Sequence, residues 1–284
     1  MAAMIFEVDP TLPNPDDLKQ DQEVLATARQ EYAASKSGPL SILPNSLCYA
    51  SFSQVIPEAV LSPIADEAAN LTDYDLEERD IRHSRFGISP KLGQIEYIFD
   101  LGNWSPFFKS DPIDNKKYGT CLQILQYPYS KGSIHIRTAS VTDPPIIDPK
   151  YYQGAHGALD VEVMTQCAKF ADRISKTSPL AGIIRSRVFP PPTTGTVEAE
   201  DSIYREWIIN TTITDWHPVG TCSLGGRKGI DGGVVDDRLR VYGVQGLRVI
   251  DASIMPLQIS GHLQATIYAI AEKGAAMILE DMKA

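Results

Sequence analysis

Asp215-Trp216-His217-Pro218-Val219-Gly220-Thr221-Cys222, Leu247-Arg248-Val249-Ile250-Asp251-Ala252-Ser253 and Ser260-Gly261-His262-Leu263-Gln264-Ala265-Thr266 follow one another in the last quarter of the chain. Pro218 removes a backbone donor and steers His217 away from helical angles, so this imidazole stands on a fixed turn after a helix. Leu247 to Ile250 reads as a short apolar strand ending on the carboxylate of Asp251, where ligands commonly meet α/β sheets; the same carboxylate suits the capping of the turn that follows. Ser260-Gly261-His262 opens a last helix with Leu263, Ile267, Ile270, Gly274 and Met277 on one face. His262 then lies near that helix's exposed N–H groups, which favour an electron-rich partner. Either histidine alone would read as a structural residue.

Upstream, the chain reads as scaffold. Asn14 to Gly38 predicts a helix, with Asn14 as N-cap, Pro15 at the first helical position, and Leu18, Leu25, Ala28 and Tyr32 as its buried stripe. Gln94 to Leu101 alternates in the manner of a half-buried strand. Cys121 to Tyr127 and Ser133 to Thr138 read as two more strands, joined through Pro128 to Gly132 into an antiparallel sheet. Trp104, Phe107, Phe108, Tyr127 and Tyr129 are candidates to line an apolar pocket, although core packing is the commoner role of aromatics near strands. Pro144 to Pro149 reads as an extended connector, Ala158 to Thr177 and Asp201 to Thr212 as helices, and Pro190 to Gly195 as a loop. The fold class is α+β, an antiparallel sheet backed by helices, with C-terminal strands and a final helix whose apolar faces call for the further layer of a larger α/β domain.

Composition bounds the function. With 284 residues, 43% hydrophobic and 22% charged, the chain is long enough for a full core, and its net charge of −10 with no visible basic patch argues against nucleic acid as a partner. Cys48, Cys121, Cys167 and Cys222 are widely spaced and show no Cys-x-x-Cys pair, so free thiols are expected. The first residues lack the basic region and apolar run of a signal peptide. No stretch approaches the ~18 apolar residues of a membrane span, so no membrane partner is expected and the compartment stays open. No Gly-x-Ser-x-Gly elbow supports a hydrolase built on Asp251 and His262. His217, Cys222 and His262 match no familiar zinc-ligand spacing, and no metal is expected.

The run His217 to Ser223, the strand end Arg248 to Ser253 and the helix start Gly261 to Thr266, in that order, resemble the C-terminal signature of the glucose-methanol-choline (GMC) flavin oxidoreductases. Gly132-Ser133-Ile134 leading to Ile147-Asp148-Pro149 resembles the beginning of that family's C-terminal region. On this resemblance residues 127–284 form the family's C-terminal region and residues 1–126 the remainder of its substrate-binding region. It implies FAD as cofactor and oxidation of a primary or aryl alcohol by hydride transfer to the flavin, with Trp216 beside His217 favouring an aryl or apolar alcohol. His217 matches the family's proton acceptor and His262 the second active-site position, which hydrogen-bonds the substrate oxygen. Asp251 and Ala252 match positions near the ribityl and pyrophosphate side of FAD, and Gln264 and Ala265 match contacts to the isoalloxazine ring.

The departure from the family is equally specific. Its members begin with a strand, a Gly-x-Gly-x-x-Gly turn and a helix that hold the FAD pyrophosphate, and this sequence contains no such fingerprint. The Gly225 to Gly233 cluster has the wrong spacing and no βαβ unit around it. The chain is therefore expected to correspond to the C-terminal half of a family member, with the FAD-binding half as its missing partner, or to be a truncated, non-catalytic relative.

Overall fold

The computed structural model describes residues 1–42, 46–71, 76–86, 91–109, 116–192 and 195–283. Thr193 and Thr194, read above as loop, lie outside them. In chain order the strands are β1 (Ala2–Val8), β2 (Ser46–Ala50), β3 (Ile95–Leu101), β4 (Lys117–Leu125), β5 (Ser133–His135), β6 (Ile146–Asp148) and β7 (Ile184–Phe189). The helices are α1 (Asp17–Gln20), α2 (Gln22–Ser35), α3 (Phe52–Val55), α4 (Glu58–Ala69), α5 (Leu76–Phe86), α6 (Gly154–Ser175), α7 (Val197–Thr211) and α8 (Gln264–Asp281). Among the described residues no helix is long and apolar enough to cross a membrane.

Two compact units form, each from two stretches: Met1–Leu125 with Gly154–Ile213, and Gln126–Gln153 with Thr214–Ala284. Residues 154–213 return to the first unit because α6 and α7 are amphipathic and bury their apolar faces there, α6 against β4 and α7 against α6 and β1.

The first unit is the antiparallel sheet backed by helices, in strand order β2-β3-β4-β1-β7. β3 and β4 run in register from Ile95 opposite Leu125 to Leu101 opposite Gly119. The Tyr97 hydroxyl donates to the Cys167 carbonyl of α6 at 3.0 Å, and its ring lies 5.7 Å from that of Phe170. Along α6, Leu159, Val163 and Cys167 are buried as expected, as are Trp207 and Ile208 of α7. Phe108 packs against Tyr118 and Phe189, whereas Trp104 and Phe107 are exposed.

Two local expectations give way here. The single helix from Asn14 to Gly38 is two: Asp21 accepts hydrogen bonds from the backbone N–H groups of Glu23 (2.8 Å) and Val24 (3.2 Å) and so starts α2 afresh. Asn14 does act at the first helix start, its Oδ1 accepting from the Asp16 N–H at 2.9 Å while its NH2 donates to the Tyr118 carbonyl at 2.8 Å, but of the predicted stripe only Ala28 is buried. The second difference is β1, which periodicity did not reveal. Its run Ala2-Ala3-Met4-Ile5-Phe6 is buried without alternation because both faces of this central strand are covered.

The second unit has little regular structure apart from α8 and the β5–β6 hairpin. β5 does not extend the large sheet: Ser133 pairs with Asp148 and His135 with Ile146, so β5 takes its partner from what the sequence presented as a Pro-rich connector. Leu247 to Ile250 is not a strand. The backbone there spends its bonds locally, with Val241 N donating to Leu247 O at 3.0 Å and Val249 N to Leu239 O at 3.1 Å, and ladder pairing is limited to an isolated bridge between Arg240 and Arg248. Val235, Leu239 and Ile254 form the unit's small core, with Leu224, Val241, Val249, Ile250, Ile270 and Met277 around it. The apolar faces of Val249, Ile250 and α8 are thereby partly covered, while Leu247 stays exposed.

Candidate active site

His217 and His262 come together in the second unit although 45 positions separate them. Their ring centroids lie 5.1 Å apart, with planes at 77°. Local conformation positions each imidazole. Trp216 sits in the left-handed region at φ 55°, which bulky residues rarely occupy, and its N–H donates to Thr214 Oγ1 at 3.0 Å. That reversal brings Asp215 beside the residue two places on, and Oδ2 of Asp215 lies 2.9 Å from Nδ1 of His217. Both side chains are largely sheltered, at 20% and 26% exposure. Downstream, Cys222 N donates to Ser253 O (3.0 Å) and Leu224 N to Ile254 O (2.9 Å), which ties the His217 run to the turn after Asp251.

His262 precedes α8 and is exposed, while the next residue, Leu263, is buried and anchors the helix start. The preceding turn is held by Gln126, whose Oε1 accepts from Gly261 N at 2.6 Å. Leu263 occupies the N-cap and makes no side-chain cap, and Gln264 and Ala265 beside it are exposed. Asp251 performs the capping role open to it: Oδ1 accepts from the Ser253 N–H at 2.8 Å and from the Ser253 hydroxyl at 2.5 Å, closing the turn Ala252–Ile254. Two contributors went unassigned in the sequence reading. Asp215 carried the signal of a carboxylate two residues before the histidine; Gln126 carried none, since its contact spans 135 positions.

Chemically, a neutral His217 whose Nδ1–H donates to Asp215 keeps the lone pair on Nε2, the tautomer of a proton acceptor. The donor set around α8 suits one flank of a flavin: uncapped N–H groups favour electron-rich ring atoms. A pyrophosphate cradle does not come from the glycine cluster. A Cβ added to Gly225 would fall 2.1 Å from Gly229 O, and one added to Gly233 2.3 Å from Ser223 O, so these glycines are used to press the backbone against itself.

Residues 128–271 match the family model described as GMC oxidoreductase. The chain belongs to the GMC oxidoreductase family. It is 29% identical over 300 residues to the dehydrogenase citC of Monascus ruber, covering 99% of this chain and 46% of that protein. It is 37% identical over 155 residues to the GMC oxidoreductase family protein Mala s 12 of Malassezia sympodialis, covering 55% of this chain and 24% of that one. In fold it is similar to formate oxidase of Aspergillus oryzae, in a structure concerned with FAD modification (TM-score 0.78, 22% identity, 99% of this chain and 46% of that one). It is also similar to a fungal aryl-alcohol oxidase (TM-score 0.64, 20% identity, 100% and 48%). FAD is the cofactor of this family. The chain spans about half the length of the curated relatives it matches.

Proposed function

We propose that the chain carries the substrate-side half of an FAD-dependent oxidase or dehydrogenase that converts a primary or aryl alcohol to a carbonyl compound. The observation that carries this reading is the contact between His217 Nδ1 and Asp215 Oδ2 with His262 alongside. His217 Nε2 takes the hydroxyl proton, and Asp215 steadies the imidazolium that results. His262, exposed at the mouth of α8, holds the substrate oxygen by a hydrogen bond as negative charge develops on it. Bound FAD supplies the two-electron acceptor for the hydride leaving the carbinol carbon. Asp251, Ala252, Gln264 and Ala265 contribute to holding FAD, and the surface for its pyrophosphate is supplied by sequence outside these 284 residues or by another chain. Trp216, 70% exposed next to His217, favours an aryl or apolar alcohol.

The test is an enzyme reconstituted with an FAD-binding half. His217→Ala is expected to slow flavin reduction by an alcohol about 10²- to 10⁴-fold while leaving FAD retention nearly unchanged. Parallel loss of both would make His217 structural and end the reading.

A second reading, a non-catalytic GMC-type protein, draws support from the closed glycine cluster and the missing fingerprint. Visible spectra of the 284-residue chain with added FAD separate the two. Flavin retention with alcohol-dependent bleaching excludes the non-catalytic form, and failure to bleach even after reconstitution supports it.

A further inference from the structure

We propose that Asp215, His217 and His262 form a binding site for a divalent transition-metal ion of the zinc type. Each offers one ligand atom, and the three atoms lie within 4.8 Å of one another. Two imidazoles and one carboxylate are a favoured donor set for zinc and its neighbours, which leaves a fourth position to water or a small ligand. With metal–nitrogen bonds of about 2.05 Å and tetrahedral angles, two imidazoles on one ion hold their centroids about 5.2 Å apart. His217 and His262 stand 5.1 Å apart. The rings therefore already have the spacing that ligation requires, and side-chain rotation of the order of an ångström brings the three atoms onto one ion. The net charge of −10 raises the local cation concentration.

The site differs from a zinc set using Cys222, whose spacing in the sequence fits no familiar pattern. Asp215 takes the third position, because the left-handed turn at Trp216 places its carboxylate against His217. The inference stands on this geometry and does not depend on alcohol oxidation. Where both hold, ligation by Asp215 and His217 breaks the Asp215–His217 Nδ1 contact that sets the tautomer of the proton acceptor, so zinc and alcohol oxidation exclude one another.

Calorimetric titration of Zn²⁺ into the flavin-free 284-residue chain tests the site directly. The expected result is one saturable site per chain that persists in excess Mg²⁺, a hard ion that prefers oxygen ligands. His217→Ala, His262→Gln and Asp215→Ala should each weaken it tenfold or more, whereas Cys222→Ser should not. His262 is exposed, so its substitution keeps the test valid if the others disturb folding, which thermal melts of the metal-free variants reveal. Absence of saturable Zn²⁺ binding, displacement by Mg²⁺, parental affinity in His262→Gln, or loss of binding in Cys222→Ser would each overturn the proposal.

Discussion

Asp215 Oδ2 lies 2.9 Å from His217 Nδ1, across a Trp216 held at φ 55°. The left-handed residue and the contact belong together: on an extended backbone side chains two apart share a face but stand about 6.7 Å apart along it, and the turn at Trp216 shortens that span. The histidine therefore owes its orientation to its nearest neighbours in sequence and needs no distant partner for it.

Asp215→Asn retains an acceptor for Nδ1–H but loses the charge that stabilises an imidazolium. In an enzyme reconstituted with its flavin-binding half, rapid-mixing measurements of flavin reduction by alcohol should show a loss of about tenfold or more, larger for Asp215→Ala. A melting-temperature change with an unchanged rate of flavin reduction would leave Asp215 a structural residue only.

Gly274 of α8 is buried where Ile250 crosses the helix, and an added Cβ would meet Ile250 Cγ2 at 2.6 Å. That methyl belongs to a β-branched side chain with little freedom to move aside. Alanine would ordinarily strengthen a helix, yet Gly274→Ala should destabilise the protein by about 1–3 kcal/mol through overpacking. Combining it with Ile250→Ala should restore part of the loss in denaturant melts, and additive losses would refute the contact.

Thiol reactivity should divide the four cysteines. Cys121 and Cys167 are fully buried, and desolvation raises both thiols, Cys167 to about 12 and Cys121 further still. Neither supplies thiolate at pH 8, so a disulfide reagent should label exposed Cys48 quickly and reach these two only on unfolding. Rapid labelling of Cys121 in the native protein, read by peptide mass mapping, would contradict this burial.

Acid should weaken the second unit. Hydrogen bonds from Arg238, with the Arg238 and Arg248 charges, hold the Asp281 carboxyl below its usual range. Asp236, which receives the Arg240 and Arg238 N–H groups as well as the Arg240 side chain, is also lowered. A carboxylate depressed on folding contributes stability above its unfolded pKa and loses it as pH falls through the folded value. Thermal melts should therefore decline below the ordinary carboxylate range, and Asp281→Asn should lose stability at neutral pH and show a shallower decline. Salt should blunt the effect, because these pairs are exposed. Asp100, raised by desolvation, works in the opposite direction in the first unit.

Sequence alone determined the features that depend on local chemistry. Alternation marked β3, amphipathic spacing marked α6, α7 and α8, and proline and glycine marked the turns that carry His217 and His262; the three C-terminal motifs identified the family. The tertiary structure decided whatever depends on a partner far along the chain. β1 has no readable period because both its faces are covered, and β5 chose β6 although β4 lies nearer in sequence. Residues 154–213 left their sequence neighbours because their apolar faces were needed on the sheet. At the site, each histidine was legible from its own punctuation, but their 5.1 Å approach was not. No periodicity records which turns will meet; that is settled when the small core around Val235, Leu239 and Ile254 excludes water and draws α8 against the turns that precede it.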